Sequence, residues 1–398
     1  MSTQAALKPD PTATFLDILG NDADELASKL QDLQRRIFPP KAKKSIRRLT
    51  SAEAAKFIGV TEGYLRQIAA DGKVPLSEGA ANGRRTYSVE DINAIREMLD
   101  SGAKPTRRYS PRRQEGEKLQ IISVINFKGG SAKTTTTAHL VQYLALKGYR
   151  VLAIDLDPQA SLSTLFGLQP ETDVGENETL YGAIRYDDQR VDVTDIIRST
   201  YLPGLHVIPG HLELMEFETT TPMAKEGQTF FARMAGALGP VADEYDVVVV
   251  DCPPNLGYLT MTALCAASAV LITVHPQMLD VLSMAQFLRM TTDLLSTIHK
   301  VRPQSDYDWM GYLVTRYEPN DTPQNQMVGF LRSLFGPRLL TNAMLKSTAI
   351  ADAGLTKQTL YDVEKQRFNK GTYDRALESV DLVNGEIEAL LRRTWGRV

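Results

Sequence analysis

The sequence predicts an α/β fold: a mostly parallel sheet flanked by helices, preceded by a helical region with a small winged helix-turn-helix. Three observations carry this expectation. Short apolar runs alternate with helical stretches across residues 118–345. Two of those runs end in acidic residues, as strands do whose carboxyl ends face a ligand crevice. A glycine-bearing loop, Asn126 to Thr135, joins the first run to the first long helix.

The first strand of the sheet is expected over Ile121 to Ile125 and the helix over Thr136 to Leu146. Between them stand Phe127, Lys128, Gly129, Gly130, Ser131, Ala132, Lys133, Thr134 and Thr135. Strand, glycine loop, lysine, hydroxyl residues and helix make a phosphate cradle, the mark of a P-loop NTPase. Backbone N–H groups and the helix dipole favour an anion there. Lys133 adds a positive charge, and the Thr134 hydroxyl can ligate Mg²⁺. The strict pattern G-x-x-x-x-G-K-[ST] fails at both glycines, because Phe127 and Ala132 occupy them. An Ala132 at positive φ costs roughly 1–2 kcal/mol; a right-handed one costs nothing. Lys128, next to paired glycines, has few uses inside its own fold.

The second strand, Val151 to Ile154, ends in Asp155-Leu156-Asp157-Pro158-Gln159, and alternation puts Asp155 and Asp157 on one side. The third, from Tyr245, carries four successive valines and so is buried on both faces; it ends at Asp251. Ala269 to Val274 is the fourth. Gly311 to Thr315 is the fifth, followed by the loop Arg316 to Asn320.

Ahead of the sheet, Phe15 to Ile37 carries apolar residues at helical spacing, with an expected break at Gly20-Asn21-Asp22 and Asp22 as N-cap of the longer piece. Such a helix does not bury its stripe alone, so self-association is expected. Leu49 to Gln67 reads as helix, turn, helix: Ala54, Phe57 and Ile58 inward, Gly59 in the turn, Thr61 as cap, Leu65 in the core. A hairpin at Gly83 to Tyr87 and a helix from Ser88 complete a winged form. Tyr64, Arg66 and Gln67 fall on the recognition helix, and Arg84 and Arg85 on the wing. Basic flanks include Lys41, Lys43, Lys44, Arg47 and Arg48 before it and Lys104, Arg107, Arg108, Arg112 and Arg113 after it. The expected division is a helical dimerisation segment (1–45), a winged DNA-binding domain (46–105), a basic linker (106–117) and an ATPase domain (118–398).

K-G-G-x-x-K-T-T, followed in order by D-x-D-P-Q and a buried strand ending D-x-P-P, resembles the deviant phosphate loop and partners of the ParA/MinD ATPases. The winged region ahead of it resembles the large plasmid ParA proteins, in particular the partition ATPases of repABC cassettes. The resemblance implies ATP and Mg²⁺ as cofactors. It implies that Asp251 holds Mg²⁺ through water, that Asp155 supports the metal shell and that Asp157 positions the attacking water. The segment Cys252 to Thr260 matches the family's γ-phosphate sensor, and the loop at Arg316 falls where the family closes over adenine. Lys128 would reach the nucleotide of a second subunit in a homodimer. Lys346 falls where the family contacts DNA without sequence preference. Further implied are weak ATP hydrolysis stimulated by DNA and by a ParB-type (in such cassettes RepB-type) centromere-binding partner, and repression of the chain's own operator through the winged helix. Two rivals are a membrane-associated MinD-like positioning ATPase, for which Ile387 to Val398 is a weak amphipathic candidate, and a nucleotide-responsive transcriptional repressor.

Composition bounds these readings. A net charge of −3 over 398 residues gives no global basic field, so DNA binding must come from local patches. Two cysteines and no cleavable apolar N-terminus suggest a cytoplasmic protein without disulfides, and the resemblance to the partition ATPases implies that it is nucleoid-associated. No apolar run approaches the ~20 residues that span a bilayer, so no membrane partner is expected. Cys252 and Cys265 lack the glycine-rich setting of a shared iron–sulfur cluster and read as core residues.

Overall fold

The computed structural model describes residues 14–37, 44–73, 80–81, 84–102, 108–301 and 306–397. The chain divides into two units, one up to Lys43 and one from Lys44 onward.

In the first unit, α1 (Phe15–Ile37) is one unbroken helix. Thr14 and Asp17 cap it reciprocally: the Thr14 N–H donates to Asp17 Oδ2 at 2.9 Å, and the Asp17 N–H to Thr14 Oγ1 at 3.3 Å. The expected break at Gly20-Asn21-Asp22 does not occur, and Asp22 is not the cap. One glycine costs about 1 kcal/mol against alanine, too little to end a well-capped periodic helix. Phe15, Leu16, Leu19 and Leu26 are exposed.

The second unit begins with β1 (Leu49–Thr50), α2 (Ser51–Ile58), α3 (Glu62–Ala70), β2 (Ala80–Ala81), β3 (Arg84–Tyr87) and α4 (Val89–Ser101). The three strands pair antiparallel in the order β1-β3-β2. Each helix is started by its own neighbours. Thr50 and Glu53 form a capping box for α2, Thr61 caps α3, and Ser88 and Asp91 form a second box for α4. Gly59, at φ 82°, makes the turn between α2 and α3. Leu65, Tyr87, Ile92 and Ile95 close the small core.

That core is continuous with the larger one. Phe57 meets Tyr143 and Tyr361 edge-on, at 5.9 and 6.3 Å. Lys44 is buried, donating to the carbonyl of Lys357 at 2.9 Å and pairing with Asp362 at 3.1 Å. Residues 108–117, which fall in the expected linker, are fastened to the folded body. Asp100 accepts from the Tyr109 and Ser110 N–H groups, Asp246 from that of Arg113, and the Arg397 guanidinium binds the Pro111 and Arg112 carbonyls and Glu117. Backbone N–H groups there find the carboxylates of Asp100 and Asp246 and backbone carbonyls find Arg397, while Arg108 and Arg112 stay exposed. Lys41, Lys43, Lys104 and Arg107 lie outside the described residues.

The large sheet follows the expected alternation. In order come β4 (Gln120–Ile125), α5 (Lys133–Lys147), β5 (Val151–Asp155), α6 (Ser161–Leu165), α7 (Pro170–Asp173), α8 (Leu180–Ile184), α9 (Val193–Ile196), β6 (Arg198–Ser199) and β7 (Leu205–Ile208). Then come α10 (Met215–Thr220), α11 (Arg233–Leu238), β8 (Val247–Asp251), α12 (Tyr258–Ala266), β9 (Ala269–Val274), α13 (Met278–Val301) and β10 (Trp309–Val314). Last are α14 (Thr322–Phe335), α15 (Thr348–Leu355) and α16 (Lys370–Thr394). Strand order is β10-β9-β4-β8-β5-β7-β6, all parallel except β6, which runs antiparallel to β7. The valines of β8 show why the run has no polar alternation. Val247 and Val249 enter the core under α5 and α16, and Val248 and Val250 the core under α11, α12 and α13. Ile387 and Leu391 of α16 are fully buried, so the apolar face that could have lain on a membrane is already used. Among the described residues, no helix is long and apolar enough to cross a membrane.

Candidate active site

The carboxyl ends of β4, β5, β8, β9 and β10 converge on one loop. Asn126 anchors its base, donating to the carbonyl of Thr273 and accepting from the Lys128 N–H at 2.9 Å. Gly130 sits at φ 75°, and Ser131 is held from both sides. Its hydroxyl accepts from Thr273 at 3.1 Å, and its carbonyl accepts from Thr315 at 3.0 Å. Ala132 is left-handed, φ 64° and ψ 29°, so the strained alternative holds and its methyl costs roughly 1–2 kcal/mol.

Helix α5 starts directly after it with no side-chain cap. Buried helix starts leave orphan N–H groups, and an uncapped one suits an anion. Lys133 is buried among Asp251, Asp157 and Cys252, and burial lowers its amine pKa. Its closest hydrogen-bond acceptor is the Lys128 carbonyl, at 3.5 Å.

Asp251 is fully buried at the end of β8. One oxygen accepts from the Thr137 hydroxyl at 3.5 Å, and the other, Oδ2, has no hydrogen-bond partner. Burial and the neighbouring Asp155 hold its carboxyl well above the usual range, while Thr134 and Lys133 pull the other way. An orphaned buried carboxylate oxygen beside a threonine hydroxyl is a site that a hard cation would satisfy.

Asp155 has a second task. Its Oδ2 takes the N–H and hydroxyl of Ser163, both at 2.8 Å, and its Oδ1 takes the Asp157 N–H at 3.2 Å. Burial pushes it up to about 7. Gly210 packs so close that a Cβ there would lie 2.8 Å from the Asp155 carboxyl carbon. Asp155 therefore braces the turn that carries Asp157, whose own carboxylate is partly exposed and accepts from the Gln159 N–H. Cys252 is buried and its thiol is pushed up by burial, which makes it inert.

Lys128 stands at the outer rim, 43% exposed, with its Nζ 2.9 Å from Asp280 Oδ2 in the first turn of α13. Arg316, at φ 52°, lays its guanidinium on the Gly130 carbonyl at 3.0 Å. It therefore sits against the phosphate-type loop itself. Lys346 is exposed and pairs with Glu318 at 2.8 Å. On the winged region, Tyr64, Gln67 and Arg85 are exposed, and Arg66 pairs with Glu62 one turn earlier. Arg84 lies on β3, its side chain outside the described residues. Sequence reasoning missed Asp280, Ser163 and Gly210. Asp280 shows itself only as an acid in a first helical turn, which names no partner.

A family model described as an AAA domain matches residues 119–302. A putative replication protein A of Rhizobium rhizogenes is 56% identical, covering 99% of each chain. The chromosome partitioning protein ParA of Myxococcus xanthus is 32% identical over 54% of this chain and 71% of its own. The chain belongs to the ParA-type partition ATPases. Among solved structures, a cobyrinic acid a,c-diamide synthase of Mycobacterium smegmatis with bound ADP and magnesium superposes with a TM-score of 0.50. It is 26% identical and covers 60% of this chain and 91% of its own. The expected α/β sheet with its phosphate-type loop is thus the fold of this ParA-type chain.

Proposed function

We propose that this ParA-type ATPase segregates a plasmid by cycling between a nucleotide-loaded homodimer on DNA and a released form in the cytoplasm. Its cofactors are ATP and Mg²⁺. The observation that carries the reading is the unpartnered Asp251 oxygen beside Thr134 and Lys133, at an uncapped helix start. Thr134 and Asp251 would hold Mg²⁺, with Asp155 in support. Bound there, Mg²⁺ supplies charge neutralisation on the phosphates. Gly129 to Thr135 and Lys133 orient the phosphates, Arg316 steadies the loop through Gly130, and Asp157 positions water. No covalent nucleophile is needed.

Lys128 completes a second subunit's site, and Lys346 contacts DNA of any sequence. A ParB-type centromere-binding protein speeds a slow hydrolysis and releases the DNA. Tyr64, Arg66, Gln67, Arg84 and Arg85 read the chain's own operator. The single test is size and random-DNA affinity measured side by side with ADP, ATP and a slowly hydrolysed analogue, for wild type and Lys128→Ala. Wild type dimerises and binds DNA with triphosphate only. Lys128→Ala stays folded and loses hydrolysis by at least about 100-fold. Wild-type turnover in Lys128→Ala would remove the trans role.

A further inference from the structure

In this structure the lysine assigned to a second subunit's nucleotide is already occupied. Its Nζ lies 2.9 Å from Asp280 Oδ2, and that carboxylate is only 11% exposed. The residue before it is held by the same helix: the Phe127 ring stacks on Phe287 at 6.3 Å and 25°. Asp280 and Phe287 are seven positions apart on α13, two turns along one face. The outer strand of the loop is thus laid along α13 and pinned twice, once by charge and once by an aromatic stack. Beyond the pins, Met278, Leu279, Leu282, Met290 and Leu294 of α13 are exposed. His275 Nδ1 lies 4.0 Å from the same oxygen, beyond hydrogen-bond reach.

We infer that Asp280 is a positioning residue for Lys128: it holds the lysine within its own subunit and must surrender it before two copies can close on nucleotide. The inference rests on the trans role of Lys128 proposed above. It makes each subunit oppose pairing, so the latch is opened twice per dimer and its effect on the dimer constant enters squared. A partly exposed ion pair is worth about threefold, so loss of both latches tightens the dimer by about tenfold.

The test uses the full chain as wild type, Asp280→Asn, Asp280→Glu, Lys128→Ala and the double variant Lys128→Ala/Asp280→Asn. First, Lys128 in nucleotide-free protein is acylated with an amine-reactive reagent and followed by mass spectrometry. Asp280→Asn should raise its rate about threefold, and Asp280→Glu should leave it near wild type. Second, sedimentation with a slowly hydrolysed ATP analogue gives the dimer constant. Asp280→Asn should tighten it about tenfold, and that gain should vanish in the Lys128→Ala background. An unchanged acylation rate overturns the latch even if Lys128→Ala fails to dimerise, and so does an equal gain without Lys128. Those results leave the proposed function standing, whereas wild-type turnover in Lys128→Ala removes the trans role of Lys128 on which the latch rests.

Discussion

Residues 49–101 and the loop cluster around residues 126–316 are assembled by opposite rules. In the winged region every helix is started by a residue within three positions of it, through Thr50–Glu53, Thr61–Tyr64 and Ser88–Asp91. In the loop cluster the decisive contacts span the chain. Lys128 meets Asp280 across 152 positions, Arg316 meets Gly130 across 186 and Ser131 meets Thr273 across 142. Local rules place an element; long-range ones place a charge. The two regions are nevertheless one body, because Arg96 of α4 is buried with its guanidinium on the Phe57 carbonyl at 3.1 Å and on the Leu146 carbonyl at the end of α5. Burial pulls it down to about 10, so it is charged at neutral pH and suits the negative end of that helix.

The largest effect therefore tests that union. Arg96→Ala strands two buried carbonyls and should cost about 3 kcal/mol. Calorimetry should then show the winged region melting ahead of the sheet, where wild type melts once. A single transition at the wild-type midpoint would mean that the two regions are joined by something else. For the same reason, a cut between the winged region and the sheet would open a shared core.

The next effect sharpens the long-range side. Asp155 has a folded pKa of about 7, far above that of an unfolded aspartate. Between those values the folded chain keeps a proton that the unfolded chain has lost. Stability from this group is thus present at low pH and lost as pH rises through about 7. Buried His139, held below its usual value by desolvation, slopes the other way. Melting of metal-free protein from pH 5 to 8 isolates the aspartate when wild type is compared with Asp155→Asn. The variant should lack a decline on the order of 2 kcal/mol, and parallel curves would mean that Asp155 is ionised throughout.

The smallest effect is local. Ala132→Gly removes the left-handed methyl penalty but loosens the unfolded chain, so a net gain of roughly 0.5 kcal/mol is expected. A loss, read by urea melting, would show that the methyl packs usefully.

What the sequence made legible follows the same division. Strand positions of β4, β5, β8, β9 and β10, the turn at Gly59 and the cap at Thr61 could all be read, because each is a pattern within a few residues. β6 and β7 were not expected: they are short, and His206 interrupts the apolar run of Leu205–Ile208. The continuity of α1 was hidden by Gly20, and the fastening of residues 108–117 by partners such as Asp246 and Arg397, far off in sequence. At the site, the loop that carries Lys133 and Thr134 and the strand end at Asp251 could be read as structure. Asp280 was out of reach, because only the folded chain brings α13 to the loop.

Strand β4 lies between β8 and β9, and its first pairing partner, Val247, is made roughly 120 residues after Ile125. A ribosome adding about 5–20 residues per second leaves that apolar segment without sheet neighbours for about 6–25 s. Birth of this protein is therefore its most sticky moment. Faster translation of the stretch from Lys133 to Asp246, or a chaperone that shields it meanwhile, should raise the yield of correctly made chains.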